Sequence, residues 1–246
     1  MARIDLNADV GEGMALDVAL LAVVTSANVA CGGHAGDAAT MRATLLGAQH
    51  HGVTIGAHPG WADPGHFGRA RLTLPLHALR ETLQTQLAAL QAVARETGTA
   101  VRYVKLHGAL ANQAAEDDAL ADAVAGVLHE AQLGWLVMPR TAMQRAAQGA
   151  QVLFHTEAFA DRTYDAHGLL TPRDKPGAVL HAPHVIADRA CAMLERQALL
   201  LADGRWLATP IDSLCVHGDT PGALAIAEIL RARLLERGWQ VRALDW

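Results

Sequence analysis

Residues 4–13 read IDLNADVGEG, the pattern of a β-strand that runs into a glycine-rich turn. Apolar side chains at the even positions alternate with Asp5, Asn7 and Asp9, and a period of two places the two sets on opposite faces of a strand. The apolar face suits a hydrophobic core. The polar face, followed by Glu12, predicts that this strand borders a pocket in which binding or chemistry takes place.

The overall composition excludes several classes of protein. The chain has 246 residues, is 51% hydrophobic and carries a formal net charge of -5, so nucleic acid is not an expected partner. No apolar run approaches the roughly 20 residues of a membrane span. The N-terminus lacks a secretory pattern and the three cysteines form no framework, which together predict a cytoplasmic protein. No low-complexity linker divides the chain, so we expect one domain over residues 1–246.

Strand-like and helix-like segments alternate along the chain. Predicted helices include one capped by Asp37, one that Thr73 and Pro75 start and Gly98 ends, one near 184–201, and a last one with Thr220 as its cap and Pro221 at its first position. Seven segments are predicted to be strands: IDLNAD, SANVACGGH, VTIGAH, VRYVKLHG, LGWLVMP, QVLFHTEAF and DSLCVHGD. Such alternation predicts a parallel sheet. Because no dinucleotide fingerprint follows the first strand, we favour a closed or nearly closed seven-stranded β/α barrel.

Polar residues gather where the predicted strands end, and this is where β/α barrels place their active sites. Singly, each carboxylate could be a cap and each histidine a structural residue. Lys105 is different, because a lysine on the inner face of a strand is costly unless carboxylates pair with it. The polar positions near strand ends are Asp5, Asn7, Asp9, Asn28, His34, His58, Tyr103, Lys105, His107, His155, Glu157, Asp161, Arg162, His217 and Asp219.

Together these residue types favour hydrolysis of an amide-like bond. Carboxylates and imidazoles can act as acid and base or hold a metal ion. A lysine and backbone N–H groups can stabilise an oxyanion. Neither lysine of the chain belongs to a phosphate-binding P-loop, so any ATP used in the reaction is not held by that motif.

Six stretches in order resemble the LamB/YcsF family over nearly the whole chain. Three departures stand out: Gly33 replaces an expected aromatic residue, Leu106 an expected proline and Ala111 an expected tyrosine. They put the shape of the pocket in question more than the reaction. The matching stretches are IDLNADVGEG, TSANVACGGHAGDAATM, IGAHPGWADPGHFGR, VRYVKLHGALANQAA, EAFADRTYDAHGLLTPR and SLCVHGDTPGALAIA.

The resemblance implies a fold, a reaction and partners. The fold is a variant of the glycoside hydrolase/deacetylase β/α barrel. The reaction is the ATP-dependent opening of 5-oxo-L-proline to L-glutamate, for which Mg²⁺ could accompany ATP. The family member works as one component of a three-subunit enzyme, and its partners, subunits B and C, are encoded separately.

The same resemblance suggests roles for individual residues. Asp9 or Glu12 would activate water or orient the ring N–H of the lactam. Lys105, with His58 and His107 nearby, would stabilise an oxyanion or a phosphate. Substrate binding is assigned to eight residues: Asp5, Asn7, Asn28, Glu157, Asp161, Arg162, His217 and Asp219.

Two alternatives stay open at this stage. The first is a metal-dependent, deacetylase-like hydrolase with Asp9, His34 and His58 as candidate ligands. Against it, the closest histidines in sequence are the adjacent His50 and His51, which point apart on a helix. The second is a non-catalytic protein that binds the substrate for its partners. Trp61 is expected to be exposed, either as a lid, as a partner contact or as packing over the barrel mouth.

Overall fold

The computed structural model describes residues 2–246 as alternating strands and helices. In chain order the elements are β1 (Arg3–Val10), α1 (Asp17–Leu21), β2 (Ser26–Ala30), α2 (Ala38–His51), β3 (Thr54–His58), a 3₁₀ turn (Pro64–His66), α3 (Leu76–Thr97), β4 (Val101–Val104), α4 (Gly108–Glu116), α5 (Asp118–Ala131), β5 (Gly134–Val137), α6 (Ala142–Gly149), β6 (Phe154–Phe159), α7 (Pro183–Arg196), β7 (Ala198–Leu200), β8 (Trp206–Ala208), β9 (Ser213–Val216), α8 (Ala223–Glu236) and β10 (Gln240–Val241).

Seven parallel strands close into a barrel. Their order is β1, β2, β3, β4, β5, β6 and β9, and β9 pairs back onto β1 with Asp5 opposite Ser213. The seven barrel strands are the seven predicted from the sequence, and the predicted α/β barrel is confirmed. The short β10 adds to the first residues of β1, pairing Arg3 with Gln240.

The alternation in β1 sorts its side chains as predicted. The even-numbered residues from Ile4 to Val10 are fully buried in the hydrophobic core between strands and helices. The odd-numbered polar residues Asp5, Asn7 and Asp9 are buried as well, at 4% exposure or less. The interior of the barrel is therefore polar along this strand, and each polar group needs a partner there.

The predicted cap at the start of α2 and the predicted end of α3 are confirmed. Asp37 caps α2 by accepting a 2.7 Å hydrogen bond from the backbone N–H of Thr40. Pro75 immediately precedes α3, and Gly98 ends it with a φ of 67°. Such a left-handed conformation favours glycine because it has no Cβ.

Two other predictions for the C-terminal third are wrong in detail. The helix expected near 184–201 ends at Arg196, and the apolar residues after it form β7, which pairs antiparallel with β8. The last helix does not use Thr220 as its cap. Gly222 takes that position, while the hydroxyl of Thr220 donates a hydrogen bond to Asp161 at 2.7 Å.

The expectation of an exposed Trp61 is also wrong. Its side chain is 1% exposed, and its indole N–H donates a 2.8 Å hydrogen bond to Gln113 in α4. Packing over the barrel mouth, one of the three interpretations of this residue, agrees with that burial. Within residues 2–246, the helices are too short or too polar to cross a bilayer.

Candidate active site

A pocket of 350 Å³ opens at the carboxyl ends of the barrel strands. This volume lies at the small end of the range for ligand sites, which begins at about 300 Å³. All five residues predicted to be catalytic line it, together with three of the eight predicted to bind substrate. These eight lining residues are Asp9, Glu12, His58, Lys105, His107, Arg162, His217 and Asp219.

The other five predicted binding residues are buried and do not line the pocket. They are Asp5, Asn7, Asn28, Glu157 and Asp161. Asp5 lies deepest. It accepts hydrogen bonds from the hydroxyls of Thr25 and Ser26, both at 2.7 Å, and from Ser213. Burial raises its pKa although these hydroxyls act to lower it. Direct contact between substrate and these five residues stays a prediction.

A chain of hydrogen bonds links four buried side chains of the barrel interior. Asn7 donates to Glu157 at 2.8 Å, and Asn28 donates to Asn7 at 2.7 Å. The phenol of Tyr103 donates to Asn28 at 2.7 Å. This chain of hydrogen bonds fixes the carboxylate of Glu157 below the floor of the pocket.

Lys105 lies one residue beyond the end of β4, and its ammonium group reaches the pocket floor. The nitrogen lies 2.9 Å from Asp9 Oδ1 and 3.0 Å from Glu157 Oε1. Burial alone would lower the pKa of Lys105, but the carboxylates of Asp9 and Glu157 and the hydrogen bond to the sulfur of Cys215 raise it well above its usual value. The lysine expected to need carboxylates from strands one and six has both of them.

Asp9 stays ionised on the pocket floor. Burial opposes its charge, but the neighbouring His58 and the ammonium group of Lys105 hold the pKa of Asp9 well below its usual value. Its second oxygen lies 3.4 Å from His58 Nε2. A fixed carboxylate beside an ammonium group is suited to orienting water or an N–H group.

One glutamate and three histidines form a buried group that we call the Glu–His cluster: Glu12, His34, His58 and His107. Glu12 Oε1 lies 2.9 Å from His34 Nε2, 3.4 Å from His107 Nδ1 and 3.9 Å from His58 Nε2. Candidate ligand atoms of all four residues lie within 4.8 Å of one another, so the cluster can hold a metal ion. It differs from the predicted set of Asp9, His34 and His58 because the loops after β1 and β4 supply Glu12 and His107.

The Glu–His cluster carries strongly shifted groups. Burial and the charge of Asp9 raise the pKa of Glu12 to about 9. Burial, together with the neighbouring His58, lowers the pKa of His34 to about 3, and burial lowers the pKa of His107 well below its usual value. Buried groups with such displaced values are typical of functional sites.

Asp161 positions His217 at the pocket edge. His217 Nδ1 lies 2.8 Å from Asp161 Oδ1, and Thr220 donates to the other oxygen. Burial would raise the pKa of Asp161, but His217 and the hydrogen bonds lower it. Asp161, predicted to bind substrate, thus acts in the structure as the partner of a lining residue.

Arg162 is buried in the pocket wall without a carboxylate partner among the described residues. Its guanidinium donates to the backbone carbonyls of Ala178 at 3.2 Å and Thr171 at 2.6 Å. Burial and the nearby charge of Arg173 lower the pKa of Arg162 to about 10, so the group remains cationic at neutral pH.

Three further arginines line the pocket and were not singled out from the sequence. Arg71 pairs with Glu116 at 2.7 Å, and Arg69 pairs with Asp219. Arg173 also lies 3.9 Å from Asp219. They come from loops, where an arginine in isolation is indistinguishable from a surface residue. The signal that could have found two of them is their place inside the family-like stretches ending GHFGR and LLTPR.

His155, which shares a strand face with Glu157, is at the opposite end of the barrel. Its ring packs against Trp246 and it bonds the backbone carbonyl of Asp245 at 3.1 Å. His155 lies near the start of β6 rather than at its carboxyl end, and the active site of a β/α barrel lies at the carboxyl ends of the strands.

Two of the three departures from the family pattern touch the pocket. Leu106 and Ala111 line it, so they influence its shape directly. Gly33 does not. A Cβ at Gly33 would lie 2.3 Å from the amide oxygen of Gln86, whose side chain is hydrogen-bonded to the backbone of Gly60. Gln86 fills the space in which a larger residue at position 33 would begin.

The fold and site define a class: a closed seven-stranded β/α barrel with a buried, ionisable pocket at the carboxyl ends of its strands. Carbohydrate esterases share this barrel. The family 4 enzyme from Streptomyces lividans matches with a TM-score of 0.56 at 11% identity, over 99% of this chain and 93% of that one, which is a likeness of fold alone.

The chain belongs to the LamB/YcsF family, whose model matches residues 4–245. The A subunit of a 5-oxoprolinase from Rhodopseudomonas palustris (strain BisB5) is 43% identical over 96% of both chains. The crystal structure of a lactam utilization protein from Thermus thermophilus matches with a TM-score of 0.91 at 34% identity, over 98% of this chain and all of that one. The family predicted from the six stretches is confirmed.

Proposed function

We propose that this chain is the A subunit of a 5-oxoprolinase and hydrolyses the lactam of 5-oxo-L-proline to L-glutamate. One observation carries the proposal: Asp9 and Lys105 form a buried ion pair of 2.9 Å whose two members both face a small pocket. This arrangement offers an anionic and a cationic group to opposite parts of one amide bond. The names of the relatives from Rhodopseudomonas palustris and Thermus thermophilus point to the same class of substrate.

Arg162 is the best candidate to bind the carboxylate of 5-oxo-L-proline. Its buried guanidinium bonds only backbone carbonyls among the described residues, so it can still take a carboxylate as its counter-charge. An arginine matches a carboxylate with two parallel hydrogen bonds where the geometry allows. The predicted role of Arg162 is therefore compatible with its position in the pocket wall.

A five-membered lactam is a stabilised amide, and ATP makes it reactive in this proposal. Transfer of a phosphoryl group to the carbonyl oxygen makes the carbonyl carbon electrophilic. Water then adds to that carbon, and the ring opens when the C–N bond breaks. Asp9 accepts a proton from the attacking water and returns it to the departing nitrogen. Lys105 stabilises the negative charge that develops on oxygen during this addition. A second water releases phosphate from the acyl phosphate and leaves L-glutamate.

The proposal includes partners and cofactors. Subunits B and C would complete the enzyme, ATP would enter at the level of the complex, and Mg²⁺ would accompany the nucleotide. The support is that the relative from Rhodopseudomonas palustris is named as one lettered component of a 5-oxoprolinase, together with the lack of a P-loop in this sequence. A cytoplasmic location, where ATP is abundant, completes the proposal.

The deacetylase-like alternative has one observation in its favour. The Glu–His cluster places candidate metal ligands beside Asp9, as a metal-dependent amide hydrolase requires. The likeness to the carbohydrate esterase, however, is one of fold only. The two activities differ in substrate: the alternative predicts release of acetate from N-acetylated sugars without ATP.

The test is glutamate release from 5-oxo-L-proline with ATP, first by this chain alone and then after mixing with candidate B and C subunits from the same genome. We expect activity in the mixture only. Substrate binding without turnover in the complete mixture would favour the non-catalytic alternative. Acetate release from N-acetylated sugars by the chain alone would favour the deacetylase-like one.

A further inference from the structure

The tautomers of two pocket histidines are fixed by backbone carbonyls. His58 Nδ1 lies 2.8 Å from the carbonyl oxygen of Lys105, and His107 Nε2 lies 2.9 Å from that of Phe67. A carbonyl oxygen only accepts, so each of these nitrogens carries a hydrogen. In the neutral imidazoles, the opposite nitrogens, His58 Nε2 and His107 Nδ1, therefore bear unshared pairs.

These two unshared pairs face each other. His58 Nε2 and His107 Nδ1 are 3.0 Å apart, and both side chains are at least 94% buried. Two acceptors at this separation repel unless a cation, either a proton or a metal ion, lies between them. An outward N–H held by a backbone carbonyl and an inward unshared pair is the usual arrangement of a metal-binding histidine.

Glu12 completes a triangle of ligand atoms. Its Oε1 lies 3.4 Å from His107 Nδ1 and 3.9 Å from His58 Nε2. Ligands at the usual zinc bond lengths in a tetrahedral site are about 3.3–3.4 Å apart, and the three observed separations lie around that value. A proton needs only one pair of these atoms, whereas a metal ion uses all three.

His34 lies outside this ligand set. Its ring is stacked on that of His107 with a centroid distance of 3.6 Å and an interplanar angle of 5°. A metal ion lies close to the plane of each imidazole that binds it, and one ion cannot lie in two parallel planes so far apart. His34 Nε2 instead contacts Glu12 Oε1 at 2.9 Å, as a partner that orients a ligating carboxylate does.

We propose that Glu12, His58 and His107 bind one divalent metal ion, with Zn²⁺ as the best match, and that His34 orients Glu12. Two neutral imidazoles and one carboxylate form a ligand set typical of catalytic zinc, which keeps its fourth position open. All three ligands line the pocket and His34 does not, so the open position faces the pocket. The inference concerns metal binding and stands whether or not the proposed reaction is correct.

Direct metal binding tests the proposal without ATP, substrate or partner subunits. The purified chain is stripped with a chelator, and Zn²⁺ is titrated by calorimetry, with the bound metal counted by mass spectrometry. We expect one Zn²⁺ per chain and no comparable binding of Mg²⁺, which prefers oxygen ligands. Retention of no Zn²⁺ by the folded chain would overturn the proposal in favour of a shared proton.

Four variants separate ligands from neighbours. H58A and H107A remove ligands and should weaken Zn²⁺ binding by at least roughly 100-fold. H34A removes only the partner of Glu12 and should weaken binding by about 10–100-fold. The control H51A removes an exposed histidine of α2 and should change nothing. Unchanged Zn²⁺ binding in H58A and H107A would refute the site.

Misfolding of a variant would confuse this test, so a spectrum provides a second readout. Co²⁺ bound to the wild-type chain should show the intense visible bands of a four-coordinate ion. The near-isosteric E12Q keeps a group able to bond His34, and circular dichroism will show whether it remains folded. A folded E12Q chain with an unaltered Co²⁺ spectrum and Zn²⁺ affinity would exclude Glu12 as a ligand.

Discussion

Replacing Lys105 by methionine tests whether this lysine stabilises the two carboxylates at the pocket floor. The ammonium-bearing side chain is 4% exposed and balances two carboxylates, Asp9 at 2.9 Å and Glu157 at 3.0 Å. Methionine keeps most of the length of the side chain but removes the charge. Lys105→Met therefore leaves two buried carboxylates without a cation between them.

The cost follows from the burial of those carboxylates. Breaking a buried ion pair by removing one partner typically destabilises a protein by about 3–5 kcal/mol. Glu157 limits the cost because burial already raises its pKa, so it can take up a proton when Lys105 is absent. At about 2–4 °C per kcal/mol for a chain of this size, the melting temperature should fall by roughly 6–20 °C.

The assays are urea unfolding and thermal unfolding, both followed by tryptophan fluorescence, with Lys175→Met as the matched control. Lys175 is the other lysine of the chain and is exposed, so its replacement should change the free energy of unfolding by no more than about 0.5 kcal/mol. Adding Glu157→Gln to Lys105→Met should restore at least about 1 kcal/mol, because the neutral amide removes the cost of protonating a buried carboxylate. A Lys105→Met chain as stable as the control would refute the reasoning.

Three further predictions concern the supports of the site. Asp161→Asn should lower the free energy of unfolding by about 2–3 kcal/mol, because Asp161 accepts charge-assisted hydrogen bonds. The pKa of Asp161 is lower in the folded chain than in the unfolded chain. The difference in stability between wild type and variant should therefore be fully present above the unfolded pKa of about 3.9, and should disappear as the pH of the unfolding assay falls through the folded pKa. Gly33→Ala should lower the free energy of unfolding by about 1–3 kcal/mol, because the new Cβ forces the side chain of Gln86 aside. Thermal unfolding should show a smaller loss when Gly33→Ala is made in a chain that also carries Gln86→Ala. Equal losses in the two chains would contradict the contact. Trp61 is packed, so limited proteolysis of its loop should proceed at the same rate with and without 5-oxo-L-proline, whereas ligand protection would indicate a lid.

The sequence predicts the barrel and the centre of its site because strand periodicity carries both. Seven predicted strands, at least four of them with polar residues toward their carboxyl ends, suffice to place Asp9 and Lys105 in the same pocket, and carboxylates from strands one and six do pair with that lysine. Both facts depend on which face a residue occupies. A period of two determines that face wherever the strand is correctly located.

The composition of the Glu–His cluster is beyond the reach of the same reasoning. In the sequence, the absence of histidines at helical spacing argues against a metal site, but the cluster is assembled from the loops after β1, β2 and β4 and the end of β3. Which loop residues meet depends on loop conformation, and no periodicity encodes it. His107 Nδ1 lies 3.0 Å from His58 Nε2 although the two residues are 49 positions apart.

A capping rule read from neighbouring residues fails where a residue distant in sequence takes the hydrogen bond of the expected cap. Thr220 followed by Pro221 is typical of a helix cap, but the buried carboxylate of Asp161 takes the hydroxyl, and the helix begins later, at Ala223. A buried carboxylate needs donors, and satisfying it outweighs one exposed cap that glycine can replace at little cost. Asp161 is 59 residues away, so the sequence near Thr220 contains no sign of this partner.

The most direct test of the central claim is the rate of glutamate release by the reconstituted three-subunit mixture with Asp9→Asn in this chain. Asparagine preserves the shape of Asp9 but cannot accept a proton from water. We expect a loss of at least roughly 100-fold in rate while the chain remains folded and assembled with its partners. An unchanged rate in that assembled mixture would show that lactam opening takes place elsewhere than in this pocket.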